Sequence, residues 1–456
     1  MKKLIFISVL IALFSCQKEQ NIINPIPQDA PILNRVLIAN CKANTIQALK
    51  DSSLWNNLTM LQVRVDTNQT FALTDWIDTT RVASISGTVT FYVNGGIKGN
   101  GTTGKINTNY NPYGSSVFLQ DNNSFGVYVA NRVIENKSDM SAMNYNNIQS
   151  ISTSPSLYCY DNSSTVRTTA NDIGRGFMAC KRTSSTIWTS TVGGYIGTQF
   201  TDNSTAIPNL NFYEFCKNVN GTYSAYTTRT HYYIFAGSGN LDLYKFNCIM
   251  EKFYLIPLGL CPTKRLTFSG DSYIANREVV QQTMLEMNDY NNLDLNVSGT
   301  SGYTTLQVDS CSARKIYAFK KDYLTDDEII VWCGTNDMAS TSGNVDSTYN
   351  RVVRYLRHIK TAMPNMKIFY CTMMPRTGQT HRQNDADLYD ATTLNGRFRN
   401  DLENDVVGVT LCDPASDSLI GKNGQNTDSR FFKTDWIHLN TAGANRATKY
   451  YIKPKL

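Results

Sequence analysis

Three side chains in the second half of the chain have the chemical types that catalyse acyl transfer. Ser272, in the segment FSGDSYIAN, offers a hydroxyl nucleophile, and His438, in DWIHLNTAG, offers an imidazole that can take the hydroxyl proton. Asp435 precedes His438 by three residues, so one turn of chain can hold its carboxylate against one ring nitrogen. The other ring nitrogen is then left to face Ser272. The pattern predicts a Ser-His-Asp arrangement that attacks a carbonyl carbon.

Such chemistry also needs hydrogen-bond donors aimed at the negative charge that develops on the carbonyl oxygen. The N–H of Ser272 is expected at a helix N-terminus, where the helix dipole favours negative charge. Gly299, in NVSGTSGYT, can bring its backbone N–H close to a substrate because it has no Cβ. Asn336, in VWCGTNDM, has a side-chain amide that can donate another bond. These three residues are the predicted oxyanion hole.

These segments follow apolar runs that alternate with helical stretches from residue 263 onward. The runs predict strands at 265–268, 293–297, 327–334, 366–374 and 407–414. The other stretches predict helices at 274–287, 304–319, 347–364, 390–405 and 441–453. One helix has an apolar face made of Tyr349, Val352, Val353, Leu356 and Ile359. Alternating strands and helices imply a doubly wound parallel sheet, in which sites gather at the carboxyl ends of the strands.

In this order, the four segments FSGDSYIAN, NVSGTSGYT, VWCGTNDM and DWIHLNTAG resemble the four sequence blocks of the SGNH (GDSL-type) hydrolases. The resemblance covers residues 263–456 and implies a flavodoxin-like α/β fold. It also implies Ser272 as nucleophile, His438 as base and Asp435 as its orienting partner, with Gly299 and Asn336 as oxyanion donors. Neither a metal nor an organic cofactor is implied. The chain departs from the family pattern at Tyr273-Ile274 and at Val297, positions that affect the shape of the pocket more than the catalytic set.

A structural interpretation also exists for each of these residues. Ser272 alone could be a helix cap, and Asn336 and Asp337 together could form an Asx turn. We favour a functional role for Asn336, a structural role for Asp337, and turn stabilisation for Asp271. Trp436 fits pocket lining and simple packing equally well. The chain has four histidines, and the three outside DWIHLNTAG are predicted to be surface or hydrogen-bonded side chains: His231, His358 and His381.

Residues 31–262, here called the β half, have a different pattern. Alternating apolar and polar residues, rich in Val, Tyr, Phe and Thr, are separated by clusters of Asn, Gly, Asp and Ser. They predict strands at 87–96, 115–121, 124–132, 174–182 and 231–238 and an antiparallel sandwich. Apolar residues at helical spacing predict a helix within 240–260.

The end of the β half, from GRGFMACKRTSSTIW through AIPNLNFYEFCKNVNG to the segment ending FYLIPLG, resembles concanavalin/laminin-G-like jelly-roll modules. That resemblance implies a jelly roll that could bind glycans. A fold does not by itself imply a function, and a structural spacer or packing domain is an equally open interpretation.

The N-terminus has the three-part layout of a secretory signal. Lys2 and Lys3 precede an apolar run at 4–14, which is too short for a membrane-spanning helix. The sequence LFSC resembles a bacterial lipobox, which implies cleavage after residue 15 and lipidation of Cys16. An uncleaved anchor and cleavage at another site remain alternatives. Residues 16–30 read as a flexible tether.

Composition excludes several other classes. The chain has 41% hydrophobic and 18% charged residues and a net charge of +6, from 43 basic and 37 acidic residues. No stripe of basic residues interleaved with aromatics supports nucleic-acid binding. The cysteines form no C-x-x-C pair, so zinc-finger and thioredoxin-like sites have no spacing to support them. Cys333 and Cys371 lie in apolar strand-like runs and are predicted to be buried small hydrophobes.

The sequence thus predicts a lipid-anchored bacterial cell-envelope protein with a signal peptide at 1–15, a lipidated tether at 16–30, a β-sandwich at 31–262 and an SGNH hydrolase domain at 263–456. The expected function is a serine esterase acting on O-acyl groups, most simply acetyl, of an acylated glycan. The alternatives are a lipase or thioesterase, or a glycan-binding surface lipoprotein whose hydrolase domain is vestigial. The expected partners are the ester substrate and the membrane.

Overall fold

A computed structural model of the protein describes fourteen stretches of the chain: 35–93, 95–142, 146–149, 156–163, 165–171, 174–193, 195–261, 264–287, 293–317, 326–341, 343–375, 392–421, 425–435 and 437–456. The predicted signal peptide, the tether with Cys16, His381 and Trp436 lie outside these residues. Within the described stretches, no helix has the length and apolar content needed to cross a membrane.

The described part of the β half is built mainly of short strands. In chain order its elements are α1 (Arg35–Asp51), β1 (Leu58–Val63), α2 (Gln69–Leu73), β2 (Ser84–Ser86), β3 (Val89–Tyr92), β4 (Gly96–Gly99), β5 (Lys105–Asn107), β6 (Asn123–Val129), β7 (Met140–Ala142), β8 (Asn146–Gln149), β9 (Ser156–Asp161), β10 (Arg167–Ala170), β11 (Gly176–Arg182), β12 (Ile187–Val192), β13 (Tyr195–Thr201), β14 (Tyr213–Glu214), β15 (Lys217–Val219), β16 (Thr222–Ser224), β17 (Thr230–Gly237) and α3 (Leu243–Met250).

Most of these strands form two antiparallel sheets. Among the described residues, one sheet has the order β13-β12-β11-β6-β17-β4-β3, with β1 also paired to β17, and the other has the order β10-β9-β8-β7-β14-β5-β2. Side chains from both sheets, such as Phe125 and Ile234 from the first and Met140 and Ile148 from the second, meet in one buried hydrophobic cluster. This shared core makes the β half an antiparallel sandwich. The finer likeness to a jelly roll stays a prediction.

The strand predictions for the β half hold with one exception. Strands form within 87–96, 124–132, 174–182 and 231–238, and the predicted helix within 240–260 includes α3. The predicted strand at 115–121 is wrong. There the Ser115 hydroxyl accepts hydrogen bonds from the backbone N–H groups of Val117 and Phe118, at 3.1 and 2.9 Å. This local turn replaces ladder bonds, so the alternation of apolar residues does not produce a strand.

A hydrogen-bonded network of five titratable side chains is fully buried between the two sheets. His231 on β17 lies between two carboxylates, with Nε2 3.1 Å from Asp139 and Nδ1 3.3 Å from Glu214. Each carboxylate also bonds an arginine: Arg229 lies 2.9 Å from Asp139, and Arg64 lies 2.8 Å from Glu214. All five side chains are 0% exposed. His231 is therefore a hydrogen-bonded side chain, as predicted, and it bridges the two sheets.

The α/β half, residues 263–456, alternates strands with helices as predicted. In chain order it contains β18 (Lys264–Gly270), α4 (Ser272–Ala275), α5 (Glu278–Met287), β19 (Leu293–Gly299), α6 (Thr305–Lys315), β20 (Asp326–Trp332), α7 (Thr335–Ser340), α8 (Val345–Ala362), β21 (Lys367–Cys371), α9 (Leu394–Asp405), β22 (Val409–Cys412) and α10 (Thr441–Ala447). In the described residues, the strands form one parallel sheet with the order β19-β18-β20-β21-β22. This is the strand order of flavodoxin-like folds. Because the β half has antiparallel sheets and the α/β half has a parallel sheet with its own core, the protein is multi-domain.

The side chains that the sequence predicted to face the core of the α/β half do so. The five apolar residues predicted on one face of α8 are all buried, and Cys333 and Cys371 are buried and form no disulfide. The predicted helix at 274–287 is broken into α4 and α5. Arg277 at the break has a φ of 67°, a left-handed conformation that cannot continue an α-helix.

The buried histidine makes the stability of the β half depend on pH. Burial alone would lower the pKa of His231, but the hydrogen bonds to Asp139 and Glu214 outweigh it and raise the pKa. A raised folded-state pKa means that the stabilisation is complete below the unfolded value of about 6.5 and is lost as pH rises through the folded pKa. We predict that His231→Gln lowers the free energy of unfolding by about 3 kcal/mol near pH 6.

The measurement is urea unfolding at pH 6 and pH 9, followed by circular dichroism. The difference between wild type and His231→Gln is expected to shrink at the higher pH. His358→Gln is the matched control, because His358 pairs with Asp309 but its side chain is 53% exposed. The control should change the stability by less than about 1 kcal/mol. A difference between wild type and His231→Gln that is the same at both pH values would contradict the prediction.

Candidate active site

Ser272 is the first residue of α4, directly after the turn that leaves β18. The N-cap residue Asp271 accepts a hydrogen bond from the backbone N–H of Tyr273 at 3.1 Å, which stabilises the turn as predicted. Ser272 is 8% exposed. The helix α4 is only one turn long, because the chain breaks at Arg277. Ser272 therefore lies on a short helix at the carboxyl end of β18.

Two glycines let this turn fit against its neighbours. Gly270 is paired in register with both Gly299 on β19 and Trp332 on β20. A Cβ on Gly270 would lie 2.1 Å from the carbonyl oxygen of Trp332, and a Cβ on Gly299 would lie 2.4 Å from the backbone nitrogen of Ala275. Neither distance is sterically possible. The bare backbone of Gly299 therefore serves the packing of α4 on β19, a role that the sequence analysis did not anticipate.

Asp435 and His438 lie together in the loop before α10. Asp435 Oδ2 is 2.6 Å from His438 Nδ1, and Asp435 Oδ1 accepts hydrogen bonds from the backbone N–H groups of Ile437 and His438 at 2.9 and 3.0 Å. Burial tends to raise the pKa of Asp435, but the hydrogen bonds from His438 and Ile437 outweigh it and lower the pKa to about 2. Asp435 is therefore fully ionised at neutral pH.

Backbone hydrogen bonds hold the loop that carries this pair. The N–H of Lys433 donates to the carbonyl oxygen of His438 at 2.8 Å, and this backbone bond closes the loop that carries the histidine. Asn440 then caps α10 by accepting a hydrogen bond from Gly443 N–H at 3.1 Å. The Lys433 side chain forms an ion pair with Glu278 on α5. The loop is thus attached both to the helix that follows it and to a helix on the sheet.

The second ring nitrogen of His438 is available for chemistry. Within the described chain, Nε2 is buried and has no hydrogen-bond partner, so no bond joins it to the Ser272 hydroxyl. Catalytic hydrogen bonds are often long without substrate and tighten when it binds. With Nδ1 held by a carboxylate, the imidazole can accept a proton at Nε2 and remain oriented while it does so.

Tyr273 connects the serine turn to the histidine loop. Its hydroxyl donates a hydrogen bond to the carbonyl oxygen of Ile437 at 2.9 Å. Its ring stacks on Trp332, with centroids 5.0 Å apart and an interplanar angle of 9°, and meets the His438 ring at 5.7 Å and 64°. In the sequence, Tyr273 stands out only as a departure from the family pattern. Its size could have indicated a role, because a large aromatic side chain directly after the nucleophile packs against residues near the site.

Asn336 lies on the first turn of α7, after Gly334 with its φ of 124°. Its side-chain amide donates a hydrogen bond to the carbonyl oxygen of Tyr303 at 3.0 Å, which ties α7 to the loop after β19. The neighbouring Asp337 is structural, as predicted. Its carboxylate accepts hydrogen bonds from the N–H and hydroxyl of Thr305 at 2.6 and 2.8 Å and therefore holds the start of α6.

In the structure, Asp435 contacts His438. A hydrogen bond also joins Tyr273, which follows Ser272, to Ile437, which precedes His438. Gly299 is the last residue of β19, and Asn336 lies in the first turn of α7, directly after β20, so both lie at the carboxyl edge of the sheet. In the described ranges, no cluster of three or more His, Cys, Asp or Glu side chains could hold a metal ion.

Several solved structures are similar to this chain. A GDSL-like lipase from Bacteroides thetaiotaomicron has 18% identity over 42% of this chain and 87% of its own, with a TM-score of 0.32. A family 3 carbohydrate esterase from Clostridium thermocellum has 15% identity over 42% of this chain and 96% of its own, with a TM-score of 0.32. An acetylxylan esterase from Geobacillus stearothermophilus has 14% identity over 41% and 92%, with a TM-score of 0.30.

Among curated proteins, no sequence matches this chain. Residues 268–446, which include the serine turn, the Asn336 helix and the histidine loop, match the model of the GDSL-like lipase/acylhydrolase family. This match identifies the protein as a hydrolase that acts on esters.

Proposed function

We propose that the protein is a serine esterase in which Ser272 is the nucleophile, His438 the general base and Asp435 the group that orients the imidazole. The observation that carries the proposal is the 2.6 Å contact between Asp435 and His438 Nδ1, with Nε2 buried and unpartnered among the described residues. A structural histidine in such a site would have both nitrogens bonded, as His231 does in the β half.

The reaction then has two steps. The Ser272 hydroxyl oxygen attacks the carbonyl carbon of the ester while His438 Nε2 takes the hydroxyl proton, and the proton passes to the departing alcohol. Water next attacks the acyl group on Ser272, again giving its proton to Nε2, and the acid leaves as the serine regains its hydrogen. Asp435 keeps its negative charge throughout and stabilises the imidazolium that forms in each step.

The oxyanion hole is proposed to consist of the backbone N–H groups of Ser272 and Gly299 and the side-chain amide of Asn336. The first-turn N–H groups of a helix have no partner within the helix, which supports Ser272. The bond from Asn336 to Tyr303 restrains its amide, so less entropy is lost when the amide binds a developing charge.

The proposed substrate is an O-acyl group, most simply acetyl, on a glycan. Support comes from the sequence, because an export signal followed by a β half that resembles glycan-binding jelly rolls fits an enzyme of the bacterial cell envelope. Cys16 is the proposed lipid anchor, which would attach the protein to the outer membrane on its periplasmic or surface face. A lipase or thioesterase would instead prefer long acyl chains or thioesters, and comparing acetyl with octanoyl and thioacetyl substrates distinguishes the three.

The nucleophile is tested by replacing its hydroxyl. Ser272→Ala is expected to lower kcat for p-nitrophenyl acetate by at least about 10³-fold, since the covalent step is lost. Ser310→Ala is the control, because Ser310 is an exposed serine on α6 whose hydroxyl, among the described residues, bonds a carbonyl of its own helix. Equal turnover by wild type and Ser272→Ala would overturn the assignment. No turnover by wild type would favour the glycan-binding protein with a vestigial hydrolase.

The orienting carboxylate is tested in the same way. Asp435→Asn is expected to lower kcat by about 10²- to 10⁴-fold, because an amide neither fixes the imidazole tautomer nor stabilises the imidazolium. Asp428→Asn is the matched control, since Asp428 lies in the same loop but pairs with Arg430 rather than with His438. A fall in kcat of the same size in both variants would mean that the loop, and not the charge on Asp435, is responsible.

A further inference from the structure

We propose that Tyr273 is a positioning residue that sets the place of the His438 imidazole relative to Ser272. The inference rests on the proposed function, because it concerns how the proposed base is held. It assigns Tyr273 no contact with substrate. Tyr273 instead acts through the backbone and the ring of the histidine loop.

The Tyr273 hydroxyl joins the serine turn to the histidine loop. Tyr273 follows Ser272 directly in the chain, so its main chain moves with the nucleophile. Its hydroxyl donates to the carbonyl oxygen of Ile437, the residue just before His438, at 2.9 Å. Two segments that are 164 residues apart in the sequence are therefore joined within one residue of the nucleophile and one residue of the base.

The Tyr273 ring packs between the sheet and the His438 imidazole. Tyr273 is 3% exposed, and its ring stacks on Trp332, the last residue of β20, which is itself 0% exposed. The sheet therefore fixes the plane of the tyrosine. The same ring meets the His438 ring at 64°, an edge-on geometry that aromatic pairs favour. The imidazole is thus supported by Asp435 at Nδ1 and by a rigid aromatic surface beside its ring.

The other groups that hold the histidine loop are more exposed than Tyr273. The Asp435 side chain is 43% exposed, and the Lys433–Glu278 ion pair is partly exposed on both sides. Exposed ion pairs contribute little and are screened by salt. Tyr273 is 3% exposed and its hydrogen bond to Ile437 is partly buried, so we infer that it positions the loop more strongly than the ion pair does. A small misplacement of a catalytic group costs rate even when binding is unaffected.

The test is Tyr273→Phe, which removes only the hydroxyl and keeps both ring contacts. With p-nitrophenyl acetate, kcat is expected to fall by about 3- to 10-fold, the effect of one lost neutral hydrogen bond, with KM unchanged. Tyr273→Leu also removes the ring and is expected to lower kcat by about 10²-fold. In a His438→Ala background, Tyr273→Phe is expected to leave the residual rate unchanged, because residues that act as a unit are not additive.

The matched control is Tyr254→Phe in the β half. Tyr254 is 1% exposed, its hydroxyl donates to the carbonyl oxygen of Val65 at 2.6 Å, and its ring meets Trp76 edge-on. Tyr254→Phe therefore removes a tyrosine hydroxyl and its hydrogen bond to a backbone carbonyl, as Tyr273→Phe does, but at a place outside the serine turn. Tyr254→Phe should lower the thermal midpoint as Tyr273→Phe does but leave kcat unchanged. A similar fall in kcat for both would reduce Tyr273 to a structural role.

Two outcomes separate the inference from the proposed function. If Ser272→Ala and His438→Ala lose activity but Tyr273→Phe lowers kcat equally in the wild-type and His438→Ala backgrounds, the positioning role is wrong and the esterase mechanism stands. If Ser272→Ala keeps full activity, the proposed function is wrong and the inference falls with it.

Discussion

The direct contact between the backbone of α4 and the end of β19 is the constraint on which the rest of the site depends. Any side chain at Gly299 would lie within 2.4 Å of the α4 backbone, and any side chain at Gly270 would lie within 2.1 Å of a carbonyl of β20. Because both positions lack a Cβ, the turn with Ser272 can approach the backbone of the sheet edge this closely. This packing fixes the position of the Ser272 hydroxyl relative to the proposed base and oxyanion donors.

The proposed base comes from a different part of the fold and must be aligned with that position. His438 follows the last strand of the sheet, in a loop that its own hydrogen bonds close and that Asn440 joins to α10. Asp435 fixes the rotation of the imidazole, and its low pKa keeps the charge that this requires. Tyr273 links this loop back to the serine turn. The site thus combines the serine turn, which packs on the sheet, with the histidine loop. That loop is held by its own backbone hydrogen bonds and by the hydrogen bond from Tyr273 to Ile437.

The sequence predicted most of the α/β half because its apolar spacing is strong and local. The apolar face of α8 and the strand–helix alternation follow from side-chain periodicity, and the pairing of Asp435 with His438 follows from their three-residue spacing. The sequence did not predict the break at Arg277, which depends on one backbone torsion, or the turn at 115–121, which depends on one serine hydroxyl. The partners of His231 were also not predictable, because Asp139 lies 92 residues away and the contact exists only after two sheets pack.

We propose that Ser272 is a nucleophile that His438 activates. The most direct measurement is to treat the protein with diethyl p-nitrophenyl phosphate, which phosphorylates activated serines, and to locate the adduct by peptide mass spectrometry. We expect a single adduct, on Ser272, that forms at least about 10²-fold more slowly in His438→Ala, since the base no longer removes the hydroxyl proton. An adduct on another residue, or equal labelling rates for wild type and folded His438→Ala, would contradict it.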